Sequence, residues 1–146
     1  SRLWQARHDA YWAARRLRAG TQALSSDVCV PISRLAECVD ASQRDAAASG
    51  LVAPVVGHVG DGNFHMLLLI DLNDKDEIGR AENFLERLAE RAVAMDGTCT
   101  GEHGIGQGKM KYMKAEFDAP ALGAMRAIKR ALDPLDILNP GKIISF

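Results

Sequence analysis

Residues 58–65, with the sequence HVGDGNFH, constrain the fold of this chain more than any other segment. Asp61-Gly62 is a strong signal for a two-residue β-hairpin turn, because a type I′ turn needs positive φ at both central positions. Such a turn pairs His58 with His65, and directly opposed side chains point to one face with Cβ atoms roughly 4.5–5.5 Å apart. The turn chemistry therefore predicts two imidazoles close enough to bind one metal ion.

The composition is that of an ordinary globular protein. With 146 residues, of which 47% are hydrophobic and 25% charged, the chain is long enough for one domain with a hydrophobic core. The formal net charge of −1 gives no electrostatic reason to expect nucleic acid as a partner. Cys29, Cys38 and Cys99 are widely spaced and form no CxxC pair, which indicates a reduced, intracellular protein without a disulfide framework.

Hydrophobic periodicity predicts an α+β fold. The order from residue 27 to 100 is βαββαβ, a ferredoxin-like unit with an antiparallel sheet, flanked by an N-terminal helix and by C-terminal helices. Residues 66–70 are apolar on both faces and therefore predict a central, covered strand. The predicted helices are 2–18 (with Trp4, Tyr11 and Trp12 in the core), 31–49, 74–95, 105–117 and 120–132; the strands are 27–30, 51–59, 63–71 and 98–100, and an extended tail covers 138–144.

A second polar group, Glu102 and His103, follows directly after the last predicted strand. Two histidines and one carboxylate leave coordination positions open, which is typical of a catalytic metal site. Zinc, manganese, cobalt and ferrous iron all accept this set, and we favour zinc or manganese. Adjacent residues on an extended chain point in opposite directions, so we predict Glu102 as a ligand and His103 as a free base. The alternative is a glycine-rich turn with two solvated polar side chains.

The glycines at 101, 104, 106 and 108 do not form a phosphate-binding loop. A Walker motif requires glycine five residues before Gly108-Lys109, and that position is His103. A dinucleotide-binding GxGxxG that starts at Gly104 would need a third glycine where the chain has Lys109. The sequence also lacks HExxH and GxSxG motifs, which excludes zincin and serine-hydrolase chemistry by motif.

Four segments together resemble the C-terminal half of the FAD-linked 2-hydroxyacid dehydrogenases of the vanillyl-alcohol-oxidase type, and most closely the cytochrome-linked D-lactate dehydrogenases. They are residues 3–8 (LWQARH), 57–65, 97–106 (GTCTGEHGIG) and 132–142 (LDPLDILNPGK). The resemblance makes residues 1–146 most of a C-terminal cap domain and implies an FAD-binding domain upstream in a longer protein. It implies metal ligands at His58, His65 and Glu102, a base at His103, a substrate-carboxylate ligand at Arg7, and flavin-proximal residues at Asn63 and Asn139.

The resemblance also implies a reaction. A small D-2-hydroxy acid such as D-lactate would be oxidised to the 2-keto acid, with hydride passing to FAD and electrons to cytochrome or quinone. Relatives that oxidise D-2-hydroxyglutarate carry polar groups at the places of Leu67 and Ser25, and an apolar pocket disfavours a second carboxylate. The implied location is cytoplasmic, peripheral at the inner membrane, and mitochondrial in a eukaryote.

Several alternatives stay open at this point. A glycolate oxidase subunit and a D-2-hydroxyglutarate dehydrogenase relative share the motifs. A non-catalytic metal-binding or assembly module belongs to another class, because ferredoxin-like units serve many functions. The sequence does not distinguish a monomer from a homo-oligomer. Under the dehydrogenase hypothesis, the 146 residues alone are expected to be inactive.

Overall fold

A computed structural model describes residues 2–145, apart from the side chains of Leu3, Trp4, Arg7 and His8. The fold is α+β with an antiparallel sheet, as predicted. The helices are α1 (Arg2–Arg15), α2 (Ile32–Ala48), α3 (Lys75–Ala94), α4 (Met113–Glu116) and α5 (Ala119–Leu132), with 3₁₀ turns at Val59–Asp61 and Met110–Tyr112. The strands are β1 (Gln22–Ser25), β2 (Val28–Cys29), β3 (Val55–His58) and β4 (Asn63–Ile70).

Strand β4 lies at the centre of the sheet, with β3 on one side and both β1 and β2 on the other. Ser25 pairs with Leu67 and Val28 pairs with Phe64, so β1 and β2 follow one continuous antiparallel register. They are therefore two halves of a single edge strand. The predicted strand 27–30 is its second half, and the first half was not predicted.

The interruption between the two halves has a specific cause at Ser26. Its amide keeps the ladder bond to the Met66 carbonyl at 3.0 Å. The Met66 amide, however, donates to the Ser26 hydroxyl at 2.8 Å, and the Ser26 carbonyl accepts from Nδ1 of His65 at 2.9 Å. The edge strand thus gives up one ladder bond and uses the freed carbonyl to hold a histidine.

All eight residues of β4 are buried, which confirms the prediction of a strand covered on both faces. Phe64, Met66 and Leu68 point to one face, where they join a hydrophobic core with Phe84 and Leu88 of α3. Successive side chains alternate between faces, so Asn63, His65, Leu67 and Leu69 point to the other. The polar site described below lies on that second face.

Charged groups fix helices α2 and α3 to each other. Asp74 caps α3 by accepting from the amides of Asp76 and Glu77, both at 3.0 Å. The Asp45 carboxylate of α2 accepts from Arg87 at 2.6 Å and from Arg91 at 2.8 Å on α3. The predicted helices 31–49 and 74–95 are confirmed to within one residue at each end.

The predicted two-residue hairpin turn is wrong. Residues 59–62 form a four-residue connection in which Gly62 takes φ 77°, whereas Asp61 has no positive φ and so cannot form a type I′ turn. His58 consequently pairs with Asn63, and His65 pairs with Val56. The register differs from the prediction by two residues, which is one full period of a strand, so both histidines still point to the same face.

The predicted helix 105–117 is wrong in its first half. Gly104 and Gly106 adopt positive φ, and glycine costs about 1 kcal/mol relative to alanine in a helix. Turns therefore occupy this stretch until the 3₁₀ turn at Met110–Tyr112 and the short helix α4. Helix 120–132 is confirmed as α5, which Asp118 caps through the Ala121 amide at 2.8 Å.

The predicted strand 98–100 is reduced to a single bridge between Thr98 and Cys29. The strand does not continue, because side chains accept from the next two backbone amides. The Cys99 amide donates to Glu116 at 2.9 Å, and the Thr100 amide donates to the Thr98 hydroxyl at 3.2 Å. The tail 138–144 is not extended, since Asn139, Gly141 and Ile143 adopt positive φ.

The N-terminal helix contributes less to the core than predicted. Helix α1 ends at Arg15 rather than residue 18. Tyr11 and Trp12 are exposed, and Ala14 is the one buried side chain among those described in this helix. The Trp4 side chain lies outside the described residues. Within residues 2–145, no helix combines the length and apolar character needed to cross a membrane.

We expect Phe84→Ala to lower the free energy of unfolding by about 3–5 kcal/mol, because it opens a cavity between α3 and the sheet. Phe84 is fully buried. Leu17→Ala, at a side chain that is 65% exposed, is the control and should change stability by less than about 0.5 kcal/mol. Urea unfolding of both variants measures the difference, and equal effects would contradict the core assignment.

Candidate functional site

His58, His65 and Glu102 converge on the second face of the sheet. Nε2 of His65 lies 2.9 Å from one Glu102 oxygen, and Nε2 of His58 lies 3.6 Å from the other. One ligand atom from each residue falls within 4.8 Å of the others. Ligand atoms about 2.1 Å from one metal ion lie roughly 3–3.5 Å apart, so this nitrogen and oxygen set fits a divalent metal.

The sheet itself orients His65 for this role. A carbonyl oxygen can only accept, so the 2.9 Å contact between Ser26 and Nδ1 of His65 places the ring proton on Nδ1. The lone pair is then on Nε2, the atom that faces Glu102. Metal-binding histidines commonly donate their other ring nitrogen to a carbonyl in this way. The side chain is only 10% exposed, which leaves the ring little freedom to turn.

His58 and Glu102 leave the site open to solvent. His58 is the last residue of β3 and its side chain is 38% exposed, while the Glu102 side chain is 47% exposed. Two histidines and one carboxylate occupy only part of a coordination shell. A small molecule can therefore approach from the solvent side.

His103 lies against the same cluster. Its ring stacks on that of His65, with centroids 5.1 Å apart and planes 7° from parallel. The expectation that Glu102 and His103 point in opposite directions is wrong, because residues 101–103 form a bend rather than an extended strand. The role of His103 as a base stays a prediction.

Beneath this bend lies a fully buried carboxylate, that of Asp27. It accepts hydrogen bonds at 2.9–3.1 Å from backbone amides and side chains that surround it. The donors are the amides of Glu102 and His103, the hydroxyl of Thr100, the side-chain amide of Asn63 and the ammonium group of Lys109. Burial alone would raise the pKa of Asp27, but the hydrogen bonds from His103, Asn63 and Lys109 outweigh it and hold that pKa well below its ordinary value.

Asp27 also belongs to a second group, with His65 and His103, whose ligand atoms lie within 4.8 Å of one another. Its oxygens already accept from the surrounding donors, so the first group is the better metal site. Sequence reasoning missed Asp27 and Lys109. The available signal was an acidic residue within a β-rich run, at a position that a covered sheet disfavours for an unpaired charge.

Asn63 and Gly101 make close contact under the bend. The side-chain nitrogen of Asn63 donates to Asp27 at 2.9 Å and to the Val28 carbonyl at 3.1 Å. A Cβ on Gly101 would lie 1.7 Å from that nitrogen, so only glycine lets the bend approach so closely. The Asn63 oxygen is buried with no hydrogen-bond partner among the described residues. The position of Asn63 near a flavin stays a prediction.

The remaining predicted residues are Arg7 and Asn139. Arg7 belongs to α1, whose Ala10 and Tyr11 line a small cavity with His58 and His65, but its side chain is outside the described residues. Asn139 lines a separate cavity of 410 Å³ beside α5 and the C-terminal tail. Their substrate-binding and flavin-binding roles stay predictions.

Residues 1–143 match the family of FAD linked oxidases, C-terminal domain. The chain belongs to this family. The description of the family names FAD-linked oxidases as the proteins in which this domain occurs.

Similar proteins include D-lactate dehydrogenases and glycolate oxidase subunits. The chain is 53% identical over its full length to a protein named probable D-lactate dehydrogenase, mitochondrial, from Danio rerio. It is 46% identical, over 97% of its length, to D-lactate dehydrogenase [cytochrome], mitochondrial, from Arabidopsis thaliana. A glycolate oxidase subunit, GlcD, from Bacillus subtilis is 38% identical over 98% of the chain. The chain spans 29%, 25% and 30% of these three relatives, respectively.

The two overlapping groups of ligand atoms can be distinguished by two alanine variants. If His58, His65 and Glu102 hold the metal, His58→Ala should weaken zinc affinity by more than about 100-fold, because loss of an outer partner alone costs about 10–100-fold. His103→Ala should change it by less than about tenfold. Zinc competition with a chromophoric chelator measures both, and the reverse order would assign the metal to the group that contains Asp27.

The low pKa of Asp27 predicts how stability depends on pH. Because the pKa is lower in the folded than in the unfolded state, the stabilisation is fully present above about pH 4 and is lost as the pH falls below it. Asp27→Asn should be less stable at neutral pH and should lose less stability on acidification. Asp40→Asn, which removes an exposed ion pair with Arg44, should follow the wild type. Urea unfolding across this range tests the prediction, and an unchanged acid profile in Asp27→Asn would contradict it.

Proposed function

We propose that residues 1–146 form the C-terminal cap domain of a metal-dependent, FAD-linked dehydrogenase that oxidises D-lactate or a similar small D-2-hydroxy acid to the 2-keto acid. The observation that carries the proposal is the convergence of His58, His65, Glu102 and His103 on one open site. The names of the most similar relatives support the substrate class.

His58, His65 and Glu102 would hold the divalent metal, for which zinc or manganese is our choice. When bound, the metal would supply Lewis acidity toward a substrate hydroxyl, and the flavin would supply a two-electron acceptor. The hydroxy acid would approach from the solvent side, where the His58 and Glu102 side chains are 38% and 47% exposed. Arg7 would bind the substrate carboxylate, and Asn63 and Asn139 would lie near the flavin.

His103 would accept the hydroxyl proton. Its ring is half-exposed and lies parallel to His65, so Nε2 is near the cluster and can still exchange protons with water. An imidazole suits this step because its ordinary pKa is near neutrality. Glu102 would thus be a metal ligand, whereas the adjacent His103 would be the base.

The surroundings of the site favour a small monocarboxylate. Leu67 lies two residues from His65 on the same face of β4, is buried, and pairs directly with Ser25. Neither side chain offers a charge for a second carboxylate. The nearby ammonium group of Lys109 is already paired with Asp27. A dicarboxylate would therefore lose hydration at this edge of the site without gaining a partner.

The C-terminal segment supports an upstream FAD-binding domain as the partner. Large apolar side chains on α5 and the tail are between 53% and 77% exposed: Ile128, Leu132, Leu135, Ile137, Leu138 and Ile143. Exposed apolar patches of this kind mark surfaces that another domain or protein covers. This observation counts against the self-standing metal-binding module, which has no reason to expose them.

We further propose a respiratory acceptor, cytochrome or quinone, and a mitochondrial location if the source is eukaryotic. Both rest on the names of relatives: those from Danio rerio and Arabidopsis thaliana include the word mitochondrial, and the second also includes the word cytochrome. Glycolate is the second candidate substrate, because GlcD proteins are among the relatives.

The test uses the full-length protein under anaerobic conditions. We expect the flavin absorbance to be bleached when the protein is mixed with D-lactate, but not when it is mixed with L-lactate. His103→Gln should slow bleaching by about 10²–10⁴-fold while FAD and metal remain bound, because it removes a proton acceptor. Gln107→Ala, at an exposed position of the same glycine-rich segment, is the matched control and should bleach like the wild type.

Each outcome of that experiment has a separate meaning. Bleaching by glycolate or D-2-hydroxyglutarate in preference to D-lactate would overturn the substrate and keep the reaction class. Wild-type rates in His103→Gln would overturn the role of His103. If the full-length protein contains no flavin, or if no hydroxy acid bleaches it in the presence of zinc or manganese, the dehydrogenase function is overturned in favour of the non-catalytic metal-binding module.

A further inference from the structure

Asp27 contacts the backbone of the two residues whose side chains complete the candidate site. One carboxylate oxygen lies 2.9 Å from the His103 amide, and both oxygens lie 3.1 Å from the Glu102 amide. No side chain other than that of Asp27 accepts from these two amides among the described hydrogen bonds. The position of the bend relative to the sheet therefore depends on this residue.

The remaining contacts of Asp27 fix it from several directions. Asn63 donates from β4 at 2.9 Å, and Thr100 donates from the start of the bend at 3.1 Å. Lys109 donates to the carboxylate at 3.1 Å and to the Asp27 carbonyl at 2.7 Å. A buried carboxylate is tolerated only when hydrogen bonds and a counter-charge compensate for its lost hydration. Asp27 has both, so its oxygens are unavailable as metal ligands in this arrangement.

The fixed bend determines where two functional side chains lie. From this backbone, Glu102 reaches His65 at 2.9 Å and His58 at 3.6 Å. From the next residue, His103 stacks on His65 at a centroid distance of 5.1 Å. A shift of the bend by a fraction of these distances would separate both side chains from the histidine pair on the sheet.

We propose that Asp27 is a positioning residue, which holds the Glu102 and His103 amides so that the carboxylate completes the metal set and the imidazole stays beside it. Lys109 and Thr100 support it by supplying the counter-charge and a further hydrogen bond. This inference rests on the proposed function, because it assigns Asp27 a task at the same metal site. It adds to that function a residue that binds neither metal nor substrate.

Metal affinity of the full-length protein is the decisive measurement, with Zn²⁺ as the probe in competition with a chromophoric chelator. Asp27→Asn keeps the size of the side chain but reduces its capacity to accept, and should weaken Zn²⁺ affinity by about 10–100-fold. The matched control is Asp45→Asn. Asp45 also accepts from two arginines and is largely buried, but it lies between α2 and α3. This control should keep the wild-type affinity to within about twofold, well below the 10–100-fold loss expected of an outer partner.

Histidine ring resonances give a readout that does not depend on turnover. In protein labelled at histidine nitrogen and free of metal, Asp27→Asn should shift the His65 and His103 signals, whereas Asp45→Asn should leave them in place. If Asp27→Asn does not fold, Thr100→Val serves instead. It removes one donor to Asp27 and keeps the side-chain shape, so it should weaken Zn²⁺ affinity in the same direction by a smaller factor.

The outcomes separate this inference from the proposed function. If the wild type binds Zn²⁺ and folded Asp27→Asn binds it equally well, the positioning role is overturned and the metal site remains. If Asp45→Asn weakens affinity as much as Asp27→Asn, the effect is general stability and the positioning role is again overturned. If the wild type binds neither Zn²⁺ nor Mn²⁺, the proposed metal site fails and the role of Asp27 fails with it.

Discussion

A single buried carboxylate connects the sheet of this domain to the segment that completes its candidate site. Asp27 stands where the edge strand is interrupted, and the interruption leaves its side chain facing the bend at 101–103. The cost of burying this charge is offset by donors from β4, from the bend and from Lys109. Those donors come from residues 63, 100–103 and 109, so the site can assemble only when these segments have folded together with residue 27.

The two faces of the central strand β4 have different roles. The even-numbered residues of β4 pack on α2 and α3, and the odd-numbered residues support the polar site. The residues before and after His65 in β4, Phe64 and Met66, are therefore both held in the hydrophobic core. That core gives the ring a rigid base, while His58 and Glu102 keep access to solvent.

Sequence reasoning recovered the elements that local chemistry determines. The apolar stripe and Asp74 cap of α3, and the two-sided apolar run of β4, predicted those elements within a few residues. The pair of histidines was also found, although the turn between them was assigned the wrong type. The predicted register was wrong by two residues, which is one strand period. The prediction that both histidines lie on one face was therefore still correct.

What sequence reasoning missed depends on contacts between distant residues. The 105–117 stretch was predicted as a helix, but its first half forms turns, because Gly104 and Gly106 take positive φ. The strand at 98–100 failed because Glu116 and Thr98 captured its amides. Asp27 and Lys109, 82 residues apart, carry no motif that announces their pairing. Short-range patterns do not contain such information, so Asp27 passed for the first residue of an ordinary strand.

The hairpin connection at 59–62 has a consequence for how this domain can vary in length. Residues 59–61 are exposed, whereas Gly62 is buried and accepts a hydrogen bond from the Val30 amide at 3.1 Å, which fixes the end of the connection against the edge strand. Insertions or deletions of two residues that shift the register of β3 would return a side chain to the same face. Changes of one residue would turn the final residue of β3 away from His65. A register shift of two residues also moves a side chain about 6.8 Å along the strand. The histidine pair therefore survives only those length changes at the exposed residues 59–61 that leave the register of β3 unchanged.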